Sequence, residues 1–157
     1  MVSNKTPSGS PDQHTSGKND ENDEVELLFS QFPKNGTMVE MIGWRYLGFC
    51  NGELSLGFTP KSYFCNPMGM IHGGFIASML DETMGSTIFA NSRGSQIGAT
   101  ISVSIDYIRP AKLGDLRTIG RIRKLGRTIA FVEAELYDIE GSLLAKSTAS
   151  FKIVNLT

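Results

Sequence analysis

The chain is poor in the residues that cross-link or bind metals. Its 157 residues include two cysteines and two histidines. Cys50 and Cys65 cannot build a disulfide framework, and free thiols of this kind suit a reducing compartment, so the expected location is cytoplasmic. One of the two histidines, His14, lies in a polar N-terminal stretch, which excludes a histidine-rich zinc site. No Gly-x-Ser-x-Gly elbow or phosphate-binding P-loop pattern occurs. No run approaches the ~18 apolar residues of a membrane helix, so no membrane span is expected. The formal net charge is −1, so the chain as a whole is no polyelectrolyte binder. Residues 1–22 have almost no apolar side chain and no arginine. That composition fits neither a secretory signal nor a transit peptide, and it cannot offset the entropy of ordering. A disordered tail over 1–22 and a single domain over 23–157 are expected.

What is present is a clear alternation of element signals. Val25, Leu28, Phe29 and Phe32 place one apolar side on a short helix over 23–32, stopped by Pro33 and Gly36. Asn51-Gly52 between apolar runs predicts a hairpin within 41–60. Residues 96–108 alternate: Ile97, Ala99, Ile101, Val103, Ile105 and Tyr107 share a face predicted to be buried, and Thr100 falls on the polar one. Three more strands are predicted over 115–125, 128–138 and 143–154. From Gly74 to Ala90 nearly every side of a predicted helix is apolar or small, the mark of a buried helix. One long helix followed by antiparallel strands is an α+β layout, with the sheet wrapped around the helix. A single sheet covers only part of such a helix, so a homo-oligomer is expected.

The stretch Asn66-Pro67-Met68-Gly69-Met70-Ile71-His72-Gly73-Gly74 leads into that helix. Between Met68 and Ser92 the only charged residues are Asp81 and Glu82. At 100° per residue, Asp81 shares a stripe with Gly74, Ser78 and Gly85. Burying an unpaired carboxylate is costly, so Asp81 is either a hydrogen-bonded structural group or a functional one. Asn66 brings an amide, and the Gly73 and Gly74 N–H groups stand at a helix N-terminus; such donors suit a developing oxyanion. His72 is either a general base or a residue that orients the loop, since a lone histidine needs a partner to be activated.

These residues resemble the hotdog-fold thioesterases of the phenylacetate-pathway (PaaI-like) type. The resemblance rests on Asn-x-x-Gly-x-x-His-Gly-Gly with Asp eight residues after the first Gly of the pair. It continues through Tyr107-Ile108-Arg109-Pro110, Gly114, Gly126-Arg127 and the stretch from Asp138 to Ala145, and covers about residues 40–154. It implies a hotdog fold, an antiparallel sheet around one long buried central helix. It implies hydrolysis of an acyl-CoA thioester, with no cofactor and no metal. The family's dimer carries two interfacial sites and often pairs into a tetramer, a dimer of dimers. By the same resemblance the Gly73 N–H polarises the thioester carbonyl, and Asn66 helps to hold that carbonyl or the attacking water. Asp81 of the other subunit serves as nucleophile or general base, and Thr100 matches a hydroxyl that positions water.

Around these residues other assignments stay open. Between Arg109 and Arg127 lie seven basic residues, Arg109, Lys112, Arg117, Arg121, Arg123, Lys124 and Arg127, against the one acid Asp115. They form either a solvated sheet face or a cradle for the coenzyme A phosphates. Nucleic acid fits less well, because no aromatic residues interleave the basic strand. Phe64, Met68, Met70 and Phe75 could line an acyl pocket or belong to the core, and Gly74 would approach the substrate. The competing functions are a hotdog dehydratase or hydratase on acyl-thioesters, and a non-catalytic acyl-CoA-binding protein.

Overall fold

The computed structural model describes residues 16–32 and 35–156. In chain order the elements are α1 (Ser16–Ser30), α2 (Met38–Ile42), β1 (Trp44–Cys50) and β2 (Glu53–Phe58). A short 3-10 turn (Ser62–Phe64) precedes α3 (Gly73–Asn91), and β3 (Gln96–Tyr107), β4 (Leu116–Leu125), β5 (Ile129–Asp138) and β6 (Leu143–Asn155) follow. The strands form one antiparallel sheet in the order β1-β2-β4-β5-β6-β3. Helix α3 packs against five of the six strands, β2 to β6. This is the hotdog arrangement, with the sheet curled around one central helix.

Helix α3 can be swallowed because its polar groups are satisfied within it or across to the sheet. Ile76, Met79, Leu80, Met84 and Ile88 are buried. The buried Thr83 hydroxyl bonds the Met79 carbonyl at 2.7 Å and lies 2.6 Å from that of Thr118 on β4. Thr87 donates to the Thr83 carbonyl at 2.7 Å. No helix among the described residues is long and apolar enough to cross a membrane.

The hairpin forms at Asn51 (φ 53°) and Gly52 (φ 79°), both in the left-handed conformation that a two-residue turn between twisted strands demands. The structure differs from the sequence expectations in three places. First, Met41 and Ile42 end the short helix α2, closed by Gly43 at φ 70°, before the hairpin starts.

Second, α1 begins at Ser16, so residues 16–22 are helical where composition pointed to a disordered tail. The polar side chains there find partners that composition does not reveal. Asn22 Oδ1 accepts from the Phe49 N–H and from the Tyr46 hydroxyl, both at 3.0 Å, beside an irregularity in the edge strand β1. Glu21 and Glu24 pair with Arg93 at 2.7 and 3.1 Å. Val25 and Phe29 are buried beneath them, as the apolar spacing requires. Residues 1–15 and the Pro33 stop signal lie outside the described residues.

Third, the alternation of β3 is broken. The register shifts between Thr100 and Ser102, where a bulge inserts one residue. Val103 and Ile105 pack on the core as expected. Ahead of the bulge the parity inverts: Thr100 turns toward α3, while Ile97 and Ile101 are 38% and 58% exposed on this free edge.

Candidate active site

Asn66 organises the loop before α3. Its backbone N–H donates to the Met70 carbonyl at 2.7 Å, and its carbonyl accepts from the Gly69 N–H at 2.9 Å. Its side-chain Oδ1 accepts from the Met68 and Met70 N–H groups at 2.9 and 3.2 Å. The side-chain oxygen is therefore consumed by the loop, and the Nδ2 amide is the end available to a ligand. The loop is pinned from both sides, by Ile71 N–H to the Ala111 carbonyl and His72 N–H to the Phe64 carbonyl, each at 2.8 Å.

His72 is the N-cap of α3, with its Nδ1 accepting from the Gly74 N–H at 3.0 Å. In this arrangement the imidazole caps the helix start. It also removes Gly74 from the expected donor pair, because that N–H already has a partner. Gly73 has no partner for its N–H among the described residues. Its carbonyl accepts from the Tyr107 hydroxyl at 3.0 Å, and a Cβ there would lie 3.3 Å from the Tyr107 ring. The close approach of Tyr107, a residue that motif reading quoted without a role, favours glycine here.

Two turns along the helix, Asp81 accepts a hydrogen bond from Thr100 Oγ1 at 3.0 Å. The bulge in β3 makes this contact, against the simple alternation that put Thr100 on the solvent face. Asp81 and Thr100 open into a pocket of about 200 Å³ together with Glu82, Ser86, Phe89 and Phe32. A rise of 1.5 Å per residue separates Gly73 from Asp81 by roughly 12 Å along the axis. One carbonyl cannot meet both within a single chain.

Glu82, the other charged residue of this stretch, was given no role by the sequence pattern. Burial pushes its carboxyl above the ordinary glutamate value, the hydrogen bond from Ser86 opposes that push, and the Asp81 charge adds to it. The Ser86 hydroxyl donates to Oε1 at 3.2 Å. With a raised native value, the folded protein holds more protons than the unfolded chain from the ordinary glutamate range upward, so stability falls as pH rises through that window. Replacing Glu82 by Gln is expected to raise Tm more at pH 7 than at pH 4, read by thermal melts at both pH values. An equal shift at the two pH values would refute the assignment.

The basic cluster divides. Arg117, Arg121 and Arg123 lie on the sheet face turned away from α3, since Leu116, Thr118 and Gly120 take the inner positions of β4. Arg121 is held by Glu53 at 2.6 Å and Glu135 at 2.9 Å, and Arg123 pairs with Glu133. Arg117 stacks over the Tyr137 ring at 5.7 Å. Those cross-strand acids neutralise Arg121 and Arg123, two of the cations that the local run offered as a phosphate cradle. Lys124 and Arg127 are exposed near the β4–β5 turn.

Arg109 is placed differently. It donates from Nη1 to the Leu143 carbonyl at 2.9 Å and lines a groove of about 440 Å³ with Met70, Lys112 and Leu113. This groove borders the Asn66–His72 loop at Met70, and its volume is larger than that of the pocket at Asp81. Phe75 stacks on the fully buried Phe64 at 3.9 Å, so both belong to the core, whereas Met68 is exposed. Among the described residues no group of His, Cys, Asp and Glu is arranged to hold a metal ion.

The model of the thioesterase superfamily matches residues 68–145, about half of the chain. Human acyl-coenzyme A thioesterase 13 is 32% identical over 83 residues, which are 52% of this chain and 59% of that protein. The proofreading thioesterase EntH of Cronobacter sakazakii is 29% identical over 120 residues, 76% of this chain and 87% of that one. Among solved structures, a phenylacetic acid degradation-related protein of Ralstonia eutropha superposes with a TM-score of 0.74 at 25% identity, covering 82% of this chain and 98% of that one.

Proposed function

The chain belongs to the thioesterase superfamily, with the hotdog fold of its PaaI-like members, and is a thioester hydrolase; from that premise we propose that it cleaves acyl-coenzyme A to the free acid and coenzyme A. The observation that carries this is Asp81, a carboxylate oriented by Thr100 at 3.0 Å in an open pocket beside the central helix. A thioester has a good leaving group, so one carboxylate and an oxyanion hole suffice. The thioester carbonyl oxygen accepts from the Gly73 N–H and the Asn66 amide, where the N-terminus of α3 favours negative charge. Asp81 then acts by one of two routes. As nucleophile it attacks the carbonyl carbon, the C–S bond breaks, and water hydrolyses the resulting anhydride. As general base it takes a proton from water, hydroxide attacks, and the proton ends on the departing thiolate.

The separation of roughly 12 Å along α3 requires two chains for one site. We place the partner across the free edge of β3, a twelve-residue strand with exposed Ile97 and Ile101. An edge of that kind calls for cover. Antiparallel pairing of two β3 strands about a two-fold axis between Val103 and Ser104 would set Thr100 opposite the partner subunit's Tyr107. Each Asp81–Thr100 pair then meets the Gly73–Tyr107 end of the other copy. The working unit is a homodimer, which could pair further into a tetramer, and its two free cysteines suit the cytoplasm.

Coenzyme A enters along the groove of Met70, Arg109 and Lys112, which leads to the oxyanion loop. The test of the activity is thiol release from a panel of acyl-CoAs, with accumulation of free coenzyme A expected. A hydrated or dehydrated thioester without free thiol would favour the hydratase class, and binding without any conversion would favour a carrier. Removing Arg109 and Lys112 together, as Arg109→Ala with Lys112→Ala, is expected to raise KM about tenfold for coenzyme A esters, as loss of charge-assisted contacts does. A truncated thioester without phosphates should be unaffected, and equal effects on both would remove the phosphate role. Arg121→Ala should lower stability instead, through Glu53 and Glu135.

A further inference from the structure

The pocket at Asp81 has an end wall of which one residue, Phe32, lies outside the matched family region. It begins at the Asp81–Thr100 pair and runs between α3 and β3 over two glycines, Gly85 and Gly98. At its far end stand Phe89 and Phe32, ring centroids 4.9 Å apart and edge to face at 83°. Phe32 follows α1 and stacks against Phe29 at 5.7 Å. Helix α1 is in turn tied down by Asn22 to Phe49 and by Glu21 and Glu24 to Arg93. The wall thus joins Phe89 of α3 to Phe32, which the N-terminal helix delivers.

Resting on the thioesterase reading, we infer that this pocket is the acyl chamber and that Phe32, with Phe89, sets the largest acyl group it accepts. An apolar cavity of about 150 Å³ takes a benzene-sized molecule. The chamber here measures about 200 Å³. It fits a compact acyl group, a short chain or a single ring, and stops a long chain at the aromatic wall. Glu82 and Ser86 give it one polar side, unlike the lining of a tunnel built for an unbroken hydrocarbon tail. Residue 32 lies upstream of the matched span 68–145, so acyl selection would reside partly in a segment the family pattern does not describe.

The experiment is kcat/KM across straight-chain acyl-CoAs from acetyl to palmitoyl, plus phenylacetyl-CoA, for wild type and two variants. Phe32→Ala opens the wall and should raise the decanoyl-to-hexanoyl ratio roughly tenfold, since one methylene in an apolar pocket discriminates by that order. Gly85→Ala works in the opposite sense. A Cβ there meets only the Phe151 ring edge, at 4.0 Å, so it fits without displacing the core. Its methyl group narrows the chamber, and the hexanoyl-to-acetyl ratio should fall. Because Gly85→Ala also improves helix propensity, its effect cannot be attributed to unfolding. Chain-length profiles that coincide for all three proteins, with long chains hydrolysed as well as short ones, would overturn the inference while leaving the hydrolase reading intact. Hydrolysis of no thioester would overturn both.

Discussion

Asp81→Asn is expected to abolish most thioester hydrolysis, with kcat falling about 10²–10⁴-fold, the usual contribution of a positioned acid–base group. The variant should remain folded. Asp81 is only partly buried, and its one side-chain bond is the contact with Thr100, which an Asn oxygen can still accept. Asn66→Ala should cost about 10²-fold, as removal of one oxyanion donor does, with an added loss from loosening the Met68 and Met70 amides. The two lesions fall in different subunits of each proposed site. Mixing and re-annealing the two variants should therefore restore about a quarter of wild-type activity, because half the dimers are mixed and each of those has one intact site. Recovery no greater than the sum of the two parents would rule out the shared site. Near-wild-type turnover by Asp81→Asn alone would remove the catalytic assignment.

Gly120→Ala is expected to be the most destabilising single methyl that can be added to this fold. Gly120 sits where β4 crosses α3, and a Cβ there would lie 2.1 Å from Thr87 Oγ1, 3.1 Å from Thr83 Cγ2 and 3.3 Å from the Thr83 carbonyl oxygen. The hydroxyl cannot simply swing away, since it already bonds the Thr83 carbonyl at 2.7 Å. The strand must move off the helix, and overpacking of that kind costs about 3 kcal/mol, at the upper end of the usual range. In a chain of this length the Tm should fall by roughly 10 °C, measured by calorimetry or denaturant unfolding. Thr87→Ala in the same chain should recover part of the loss by removing the nearest atom. A Tm unchanged by Gly120→Ala would mean the helix and sheet are not in this contact.

Much of the fold is legible along the chain because its signals are local. Asn51-Gly52 specifies a left-handed turn, the apolar run from Gly74 marks a helix that must be buried, and β4, β5 and β6 start and stop within a residue or two of their turn signals. The candidate site is legible as a local segment for the same reason. Asn66, Gly73 and Asp81 lie within one loop-plus-helix segment, so their spacing alone places the amide and the N–H at the helix start and the carboxylate two turns on.

What escaped the sequence depends on partners distant along the chain. Thr100 reaches Asp81 because a bulge after it inverts the parity of β3, and the alternating pattern of the strand carries no trace of that extra residue. Arg121 reads as a free cation until the register places Glu53 on one neighbouring strand and Glu135 within 2.9 Å on the other side. Residues 16–22 read as unstructured because their composition offers nothing to bury, yet Asn22 and Glu21 meet an edge strand and an arginine that supply the missing partners. The sequence by itself determined the central helix, the hairpin and the later strands, and it set Asp81 beside Glu82 as the carboxylates of that helix, because those follow from period and spacing. Which side chains neutralise one another, which face Thr100 takes and which aromatic rings close the pocket were decided by tertiary structure alone, since each is a contact between segments whose approach no local pattern encodes.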